Sequence, residues 1–308
     1  MWSKFSALLL VLWVWACEAP APTPEEPRVL PDVAACIRQA SVVAEVSAAE
    51  VRMIAPGVSE TDLTLRLSTG FPERVFIVAA DMRREELFLS LALPSYILIP
   101  PAGAWPRAIP TNMAARLNTP ENRVLAMVNG GFWNTKTFTP RGPVHMDGNR
   151  LWTVFDPAWG TQGLSFVAYT EDRQVLIDKS ETYAQVADSC PEMSGAGLML
   201  VWDGAVVDNS FRPETDREPR TAIGYTADGF LFLFCVDGRD AGVSEGMNYA
   251  DMSSIFAALG CWRAVNVDGG GSTQMLVRNP DTGSFEIRNK PSDGEQRAVV
   301  DAWAIVAR

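Results

Sequence analysis

"FLFLFCVDGRDAGVSEGMNYADMSSIFAALGCWRAVNVDGGGSTQML" runs from Phe230 to Leu276 and decides the fold. It begins with an unbroken apolar run and ends with a β-branched run that stops at Asp268. Between them Tyr249, Met252, Phe256 and Leu259 recur at helical spacing, and Gly260 stands where a helix would end. Strand, helix, strand is a βαβ crossover, so the two strands should run parallel with a right-handed connection. Just upstream, "RTAIGYTADG" (Arg220 to Gly229) supplies an antiparallel partner through a four-residue turn, Thr226 to Gly229. The predicted class is α/β of mixed α+β character. It has a mixed β-sheet core with hairpins and a βαβ crossover, and helices packed on the sheet.

Two consequences follow. Asp237 and Asp268 both fall at carboxyl ends of parallel strands, where α/β sheets place ligands. If Tyr225 pairs with Phe230, Arg220 lies opposite Cys235 and Asp237 is a diagonal neighbour about 7–8 Å away. Cys235 and Cys261 would then sit roughly 20 Å apart, beyond disulfide reach, and are predicted to be free thiols. Cys36 and Cys190 remain candidates for a disulfide. No two cysteines have CxxC spacing, which argues against zinc.

In "AVNVDGGGST" alternation puts Asn266 and Asp268 on one strand face, with Val265 and Val267 in the core. The polar pair must meet a ligand or the loop's own amides. Gly269, Gly270 and Gly271 can turn several amides toward one anion, and Ser272 and Thr273 add hydroxyls. A Walker loop needs a lysine before its Ser/Thr, and a dinucleotide loop needs a following helix. Here a glycine and a hairpin, "QMLVRNPDTGSFEIR", take those places, which argues against a nucleotide loop. Asn129-Gly130-Gly131-Phe132-Trp133 repeats the design, and its aromatics are either a sugar platform or core. Arg220 is either a phosphate or carboxylate clamp or the salt-bridge partner of Asp237. Arg297 either reaches the same pocket or lies on the surface. Glu245 is read as a capping or surface residue. The sole histidine, His145, is read as structural; without a GxSxG motif it supports no serine triad.

The chain has 308 residues, 47% hydrophobic, with a formal net charge of −11. That balance argues against a nucleic-acid partner, which needs a basic patch. Lys4, the apolar stretch to Trp15 and "VWAC" resemble a bacterial lipoprotein signal with Cys17 as the lipidated residue. An uncleaved anchor or an ordinary cleaved signal are the alternatives. Residues 1–16 are thus read as signal, 17–33 as a proline-rich tether, 34–70 as an N-terminal segment and 71–308 as the main domain. The expected location is the periplasm or cell envelope, with a membrane contact through the lipid anchor.

From "VNGGFW" through "RGPVHMDGNR", "RTAIGYTADG", "FCVDGRDAGVSEGM" and the helix with "LGC" to "NVDGGGSTQM" and Arg297, the ordered motifs resemble the phosphodiester glycosidase domain family. This is the family of the lysosomal enzyme that uncovers a phosphodiester cap by removing N-acetylglucosamine. The resemblance spans about Phe71 to Arg308. It implies a carbohydrate or phosphoglycan substrate and a pocket containing Asn129, Arg220, Asp237, Asn266, Asp268, Gly270 and Ser272; Gly130 adjoins it. It implies no cofactor or metal.

The expected reaction is hydrolysis of a sugar-1-phosphodiester of the GlcNAc-1-phosphate type. Arg220 and the Gly269 to Gly271 amides would hold the phosphate, and Asn129 and Asn266 the sugar hydroxyls. Asp268 or Asp237 would be base or nucleophile, with the other as acid or orienter. Two alternatives are a non-catalytic glycan-binding envelope lipoprotein and a metal-dependent hydrolase at the same acidic pocket.

Overall fold

The computed structural model describes residues 28–95, 105–158 and 164–308. The segment read as an export signal, Cys17 and most of the segment read as a tether lie outside the described residues. In chain order the strands are β1 (Val43–Ala55), β2 (Val58–Leu67), β3 (Pro72–Asp81), β4 (Leu87–Ala92), β5 (Arg123–Asn129), β6 (Val144–Met146), β7 (Asn149–Trp152), β8 (Ser165–Tyr169) and β9 (Val175–Lys179). They continue with β10 (Glu192–Ala196), β11 (Met199–Trp202), β12 (Ala205–Val206), β13 (Arg220–Thr226), β14 (Phe230–Val236), β15 (Cys261–Asn266), β16 (Met275–Arg278), β17 (Phe285–Ile287) and β18 (Ala302–Ala307). The α-helices are α1 (Val33–Arg38), α2 (Pro110–Leu117), α3 (Tyr183–Val186) and α4 (Tyr249–Ala258).

The strands form an eight-stranded sheet, β1-β2-β3-β14-β13-β15-β11-β12, and two five-stranded sheets, β7-β6-β10-β8-β9 and β17-β16-β5-β18-β4. The main core is shared by all three: Leu233 and Cys235 of β14, Leu89 of β4, Trp303 of β18 and Val167 of β8 belong to one buried cluster. The other face of the large sheet packs on α1 and α4, with Phe232, Phe234 and Val236 against Ile37, Met252 and Phe256. This explains the unbroken apolar run of β14. Both faces are covered, so all seven residues are buried. Gly224 on β13 makes room for Phe256, because a Cβ there would stand 2.6 Å from the Phe256 ring. Burying such a ring contributes about 2–3 kcal/mol.

The crossover is present in a modified form. β14 and β15 both pair antiparallel with β13 and therefore run parallel to each other, but β13 lies between them. α4 makes the connection. Asn248 caps it with a reciprocal Asp251 capping box, and Gly260 follows the C-cap residue Leu259 at φ 73°. Hairpins form at β6–β7, β8–β9 and β16–β17, the last across the Pro280-Asp281-Thr282-Gly283 turn read from the sequence. The stretch from Ala34 to Ile54, which reads as a short helical pattern and a linker, forms most of α1, but its linker part is the long strand β1, paired with β2 at the edge of the large sheet. β10 begins at the end of the stretch from Asp178 to Ser194, which reads as polar and irregular, and is the central strand of its sheet.

The β13–β14 register differs from expectation by one residue. Tyr225 pairs with Leu231, and Arg220 with Val236 rather than Cys235. The Thr226 hydroxyl accepts the Phe230 amide at 3.0 Å and Gly229 takes φ 94°, closing a three-residue loop, Ala227 to Gly229. A one-residue shift turns side chains to the other face. Arg220 therefore points toward α4, whereas Asp237 lies on the Cys235 side. Cys36, Cys190, Cys235 and Cys261 are all free thiols, so the candidate Cys36–Cys190 disulfide is not formed.

Candidate functional site

The two glycine loops interlock at the ends of β5 and β15. The Asn129 side-chain amide donates to the Asp268 carbonyl oxygen at 2.6 Å, and the Asp268 amide donates to the Gly130 carbonyl at 3.0 Å. The Asn129 Oδ1 accepts from the Thr221 hydroxyl at 2.7 Å and the Gln274 amide at 3.1 Å. Asn129 is thus a fully buried knot between three chain segments rather than a group facing outward. Beneath it, Asp301 at the start of β18 accepts from the Gly131 amide at 2.7 Å and the Ser194 hydroxyl at 2.8 Å. A Cβ on Gly130 would fall 2.0 Å from the Asp301 Oδ1, so that glycine is required by close approach. Burial pushes the Asp301 carboxyl up to about 6.

Asp268 is half-buried above this knot. Its Oδ1 accepts the Gly269 amide at 3.0 Å. The Ser272 hydroxyl and the Trp133 indole N–H bear on the same carboxylate, yet neither reaches close hydrogen-bond geometry and both are left unpartnered. Burial pushes the Asp268 carboxyl up to about 6, against the opposing effects of those groups and of the Arg297 charge. The Arg141 guanidinium, ion-paired with Asp156, also acts on Asp268. Arg297 pairs with Asp293 at 2.7 Å, and the pair lies so close to Gly271 that a Cβ there would meet Arg297 at 2.0 Å. Arg239, paired with Glu218, stands 3.0 Å from the Cβ position of Gly270. An aspartate able to titrate near neutrality thus sits among cations on a glycine-lined wall, an arrangement suited to an anionic substrate.

The remaining predicted residues divide. Arg220 is buried and spends its donors inside the protein: on Met247 O at 3.1 Å, Tyr249 Oη at 3.0 Å, and Asp216 O and Oδ1 at 2.8 and 2.9 Å. It meets Asp216, not Asp237. Asp237 is also buried; its Oδ1 accepts from the Lys290 amide at 2.9 Å and Asn289 Nδ2 at 3.3 Å, anchoring the segment after β17. Burial pushes its carboxyl up to about 6. β14 and β15 lie two strand spacings apart, so the backbones entering the Asp237 and Asp268 turns are roughly 10 Å apart. Asn266 is buried and its Oδ1 accepts the Leu198 amide at 2.6 Å. Asn129 and Asn266 thus bond the backbone instead of presenting their amides to a sugar.

Two of the loop amides are also used internally: Gly269 to Asp268, and Gly270 to Pro219 O at 2.7 Å. Ser272, buried in the short 3-10 turn Gly270–Ser272, stays beside Asp268. Trp133 is core, with Phe138 and the Arg107 guanidinium against its ring. His145 is structural: its ring nitrogens lie 3.1 Å from Cys190 O and 3.0 Å from Tyr183 Oη. Glu245 binds the Gly242 amide at 2.9 Å and does not cap α4. Among the described residues no group of three or more His, Cys, Asp or Glu side chains is gathered as metal ligands would be.

Sequence reasoning missed Asp301, Arg141, Arg239 and Asp293. Arg141 and Arg239 stand inside motifs already singled out, "RGPVHMDGNR" and "FCVDGRDAG". Asp301 carried a signal too, as a lone carboxylate opening an otherwise apolar last strand.

Residues 122–306, more than half of the chain, match the phosphodiester glycosidase family, and the chain belongs to that family. The family includes glycosidases acting on phosphodiester bonds. The chain is 43% identical over 89 residues to the SPbeta prophage-derived protein YomE of Bacillus subtilis (strain 168), covering 29% of this chain and 13% of that protein. It is 24% identical over 166 residues to the N-acetylglucosamine-1-phosphodiester alpha-N-acetylglucosaminidase of Mus musculus, covering 48% of this chain and 31% of that one. The chain therefore spans less than a third of either relative. Among solved structures it resembles the catalytic domain of the zebrafish N-acetylglucosamine-1-phosphodiester alpha-N-acetylglucosaminidase, auto-inhibited by its pro-peptide. The TM-score is 0.62 at 20% identity, over 87% of this chain and 89% of that one. A protein from Synechocystis aligns with TM-score 0.60 at 16% identity, over 86% of this chain and 65% of that one. These structural likenesses establish the shared fold.

Proposed function

We propose that this chain is an exported glycosidase that hydrolyses a sugar-1-phosphodiester bond, of the GlcNAc-1-phosphate type, in an envelope or extracellular glycan. The observation that carries the reading is Asp268. Its carboxyl, pushed up to about 6, is faced by Ser272 and Trp133 and subject to the charges of Arg297 and Arg141. The names of the mouse and zebrafish relatives support the sugar.

In the reaction, the bond between the anomeric carbon and the phosphate oxygen breaks, and the electron pair leaves with the phosphate. Phosphate is a good leaving group, so strong protonation is less necessary than for an ordinary glycoside. Arg297 and Arg141 take the phosphate role first assigned to Arg220, which is buried and makes four hydrogen bonds inside the protein. Asp268 either accepts a proton from the attacking water or attacks the anomeric carbon itself. It suits that task better than Asp237, whose Oδ1 already accepts two hydrogen bonds.

The test is incubation of the purified domain with methyl GlcNAc-1-phosphodiester or UDP-GlcNAc, reading free GlcNAc. Release that falls at least a hundredfold in Asp268→Asn supports the reading. Release untouched by that change, or none from wild type, overturns it. Export and the lipid anchor rest on the Lys4 to Cys17 segment; loss of the protein from membranes on Cys17→Ser is the expected result.

A further inference from the structure

A cleft of about 360 Å³ is lined in part by Gly197, Leu198 and Met199, a segment hydrogen-bonded to Asn266 at the end of β15. Its floor includes Leu198 and Met199, and its edges include Lys179, Glu181, Asn209 and Phe211. Gly197 belongs to the wall, and its amide donates to Asn266 O at 2.9 Å. A Cβ on Gly197 would meet Asn266 Oδ1 at 2.6 Å and the Phe132 ring at 2.7 Å. The wall of the cleft is thus packed against both glycine-loop strands. Asn266 precedes Asp268 by two residues, about 7 Å of extended chain.

Phe211 is 60% exposed, although the backbone around it is held. Asn209, buried, donates to Met199 O at 3.0 Å, and Arg212 closes a turn on Asn209 O at 2.9 Å and pairs with Asp216 at 2.9 Å. The ring borders a concave, largely apolar lining, the kind of surface small-molecule sites use. The edge is polar but offers little for an anion. Lys179 is set over the Trp202 ring at 4.3 Å, and Glu181 and Asp208 are both acidic. A flat apolar face with hydrogen-bonding groups around it matches a neutral pyranose, whose C–H face stacks on an aromatic ring while its hydroxyls meet the edge.

We infer that the Phe211 cleft is an accessory sugar subsite that binds a neutral residue neighbouring the scissile unit, so the preferred substrate is an extended glycan rather than a single capped sugar. This rests on the proposed glycosidase reading, but binding can be read without catalysis.

The probes are the GlcNAc, mannose and α-1,4-glucose tetraoses, titrated calorimetrically against wild type, Phe211→Ala and Phe211→Trp. Phe211 is exposed, so neither change should disturb folding, and circular dichroism checks this. The expected result is that at least one tetraose binds wild type, binds Phe211→Ala at least tenfold more weakly, and recovers in Phe211→Trp. Cleavage of methyl GlcNAc-1-phosphodiester should be unchanged in both variants. Absence of binding by all three tetraoses, or binding that ignores Phe211, overturns the subsite. Tetraose binding that depends on Phe211 in a protein without hydrolysis would sustain the sugar-binding cleft and sink the glycosidase reading, and with it the place of the cleft beside a scissile unit.

Discussion

The side-chain amide of Asn129 donates to the backbone carbonyl of Asp268 at 2.6 Å, which ties the end of β5 to the turn after β15. Because Asn129 also accepts from Thr221 and Gln274, one side chain sets the height of Asp268 above three segments. Asn129→Ala strips partners from two buried donors and one acceptor, a loss of about 3 kcal/mol or more. Asn129→Asp keeps the two acceptor bonds but places a carboxylate against the Asp268 carbonyl. Both should lower Tm in thermal unfolding, and the activity surviving at a permissive temperature should show a reduced kcat.

Asp268 is expected to act unprotonated, with its carboxyl pushed up to about 6 by burial. Rate on a sugar-1-phosphodiester should therefore rise with pH and level off above about 6. A profile of kcat/KM against pH checks this. In Arg297→Gln a favourable charge is lost, so the rising limb should move to higher pH and the KM should increase. A limb that stays in place would mean that another group titrates.

Arg220 and Arg297 separate structure from binding. Arg220→Lys cannot reproduce the fork of bonds to Met247, Tyr249 and Asp216, and should cost about 2–3 kcal/mol of stability. Inorganic phosphate, tested as a competitive inhibitor, should bind that variant as it binds wild type. Arg297→Gln should show the reverse: little change in Tm and several-fold weaker phosphate inhibition.

Much of this was legible in the sequence, for reasons that mark the limit as well. The strand ends at Asp237 and Asp268, the helix with its Gly260 stop and the hairpin turns all rest on local patterns, and local patterns survive folding. The relation of Arg220 to Asp237 failed because it depended on one residue of register. The Thr226 hydroxyl and the left-handed Gly229 fixed that register differently. Ser272 and Arg297, which bear on Asp268, stand in readable motifs, but the rest of its surroundings were harder. Arg141, Asp293 and Asp301 come from other sheets and loops, and no periodicity links positions that far apart in the chain. β1 was missed because both of its faces are largely exposed, which erases the alternation that reveals a strand.

Glu73 gives a stability prediction of unusual sign. It is fully buried, its Oε2 accepts from the Ser244 hydroxyl at 3.0 Å and the Gly246 amide at 2.9 Å, and its Oε1 has no hydrogen-bond partner, with the Arg217 guanidinium 3.9 Å away. Burial pushes its carboxyl up to about 8. The folded state therefore holds this proton more tightly than the unfolded chain, and stability is lost as pH rises from the unfolded value toward 8. Glu192, pushed up to about 7 by burial, and the tail of the aspartates near 6 titrate in the same range, so the Glu73 share is what a variant isolates. Between pH 6.5 and 8 Glu73 alone should account for a loss of about 2 kcal/mol. Glu73→Gln, which mimics the protonated acid, should flatten the slope in urea unfolding across that range.

The last prediction concerns Gly130 and Asp301, which occupy the same space. Gly130→Ala would set a methyl 2.0 Å from the Asp301 Oδ1, and the carboxylate has little room to retreat because it also holds Gly131 and Ser194. Asp301→Ala removes the obstacle but leaves the Gly131 amide and the Ser194 hydroxyl without partners, at a cost of about 3 kcal/mol. Asp301→Asn keeps an acceptor for Gly131 and offers Ser194 a donor, so it should fold nearly as well as wild type. In the double variant Gly130→Ala/Asp301→Ala the added methyl enters the space that the carboxylate vacated. Its Tm loss should therefore be smaller than the sum of the two single losses, by an interaction of about 1–3 kcal/mol. Losses that add would mean that Gly130 is needed for its backbone conformation, and that Asp301 does not press on the loop beneath Asp268.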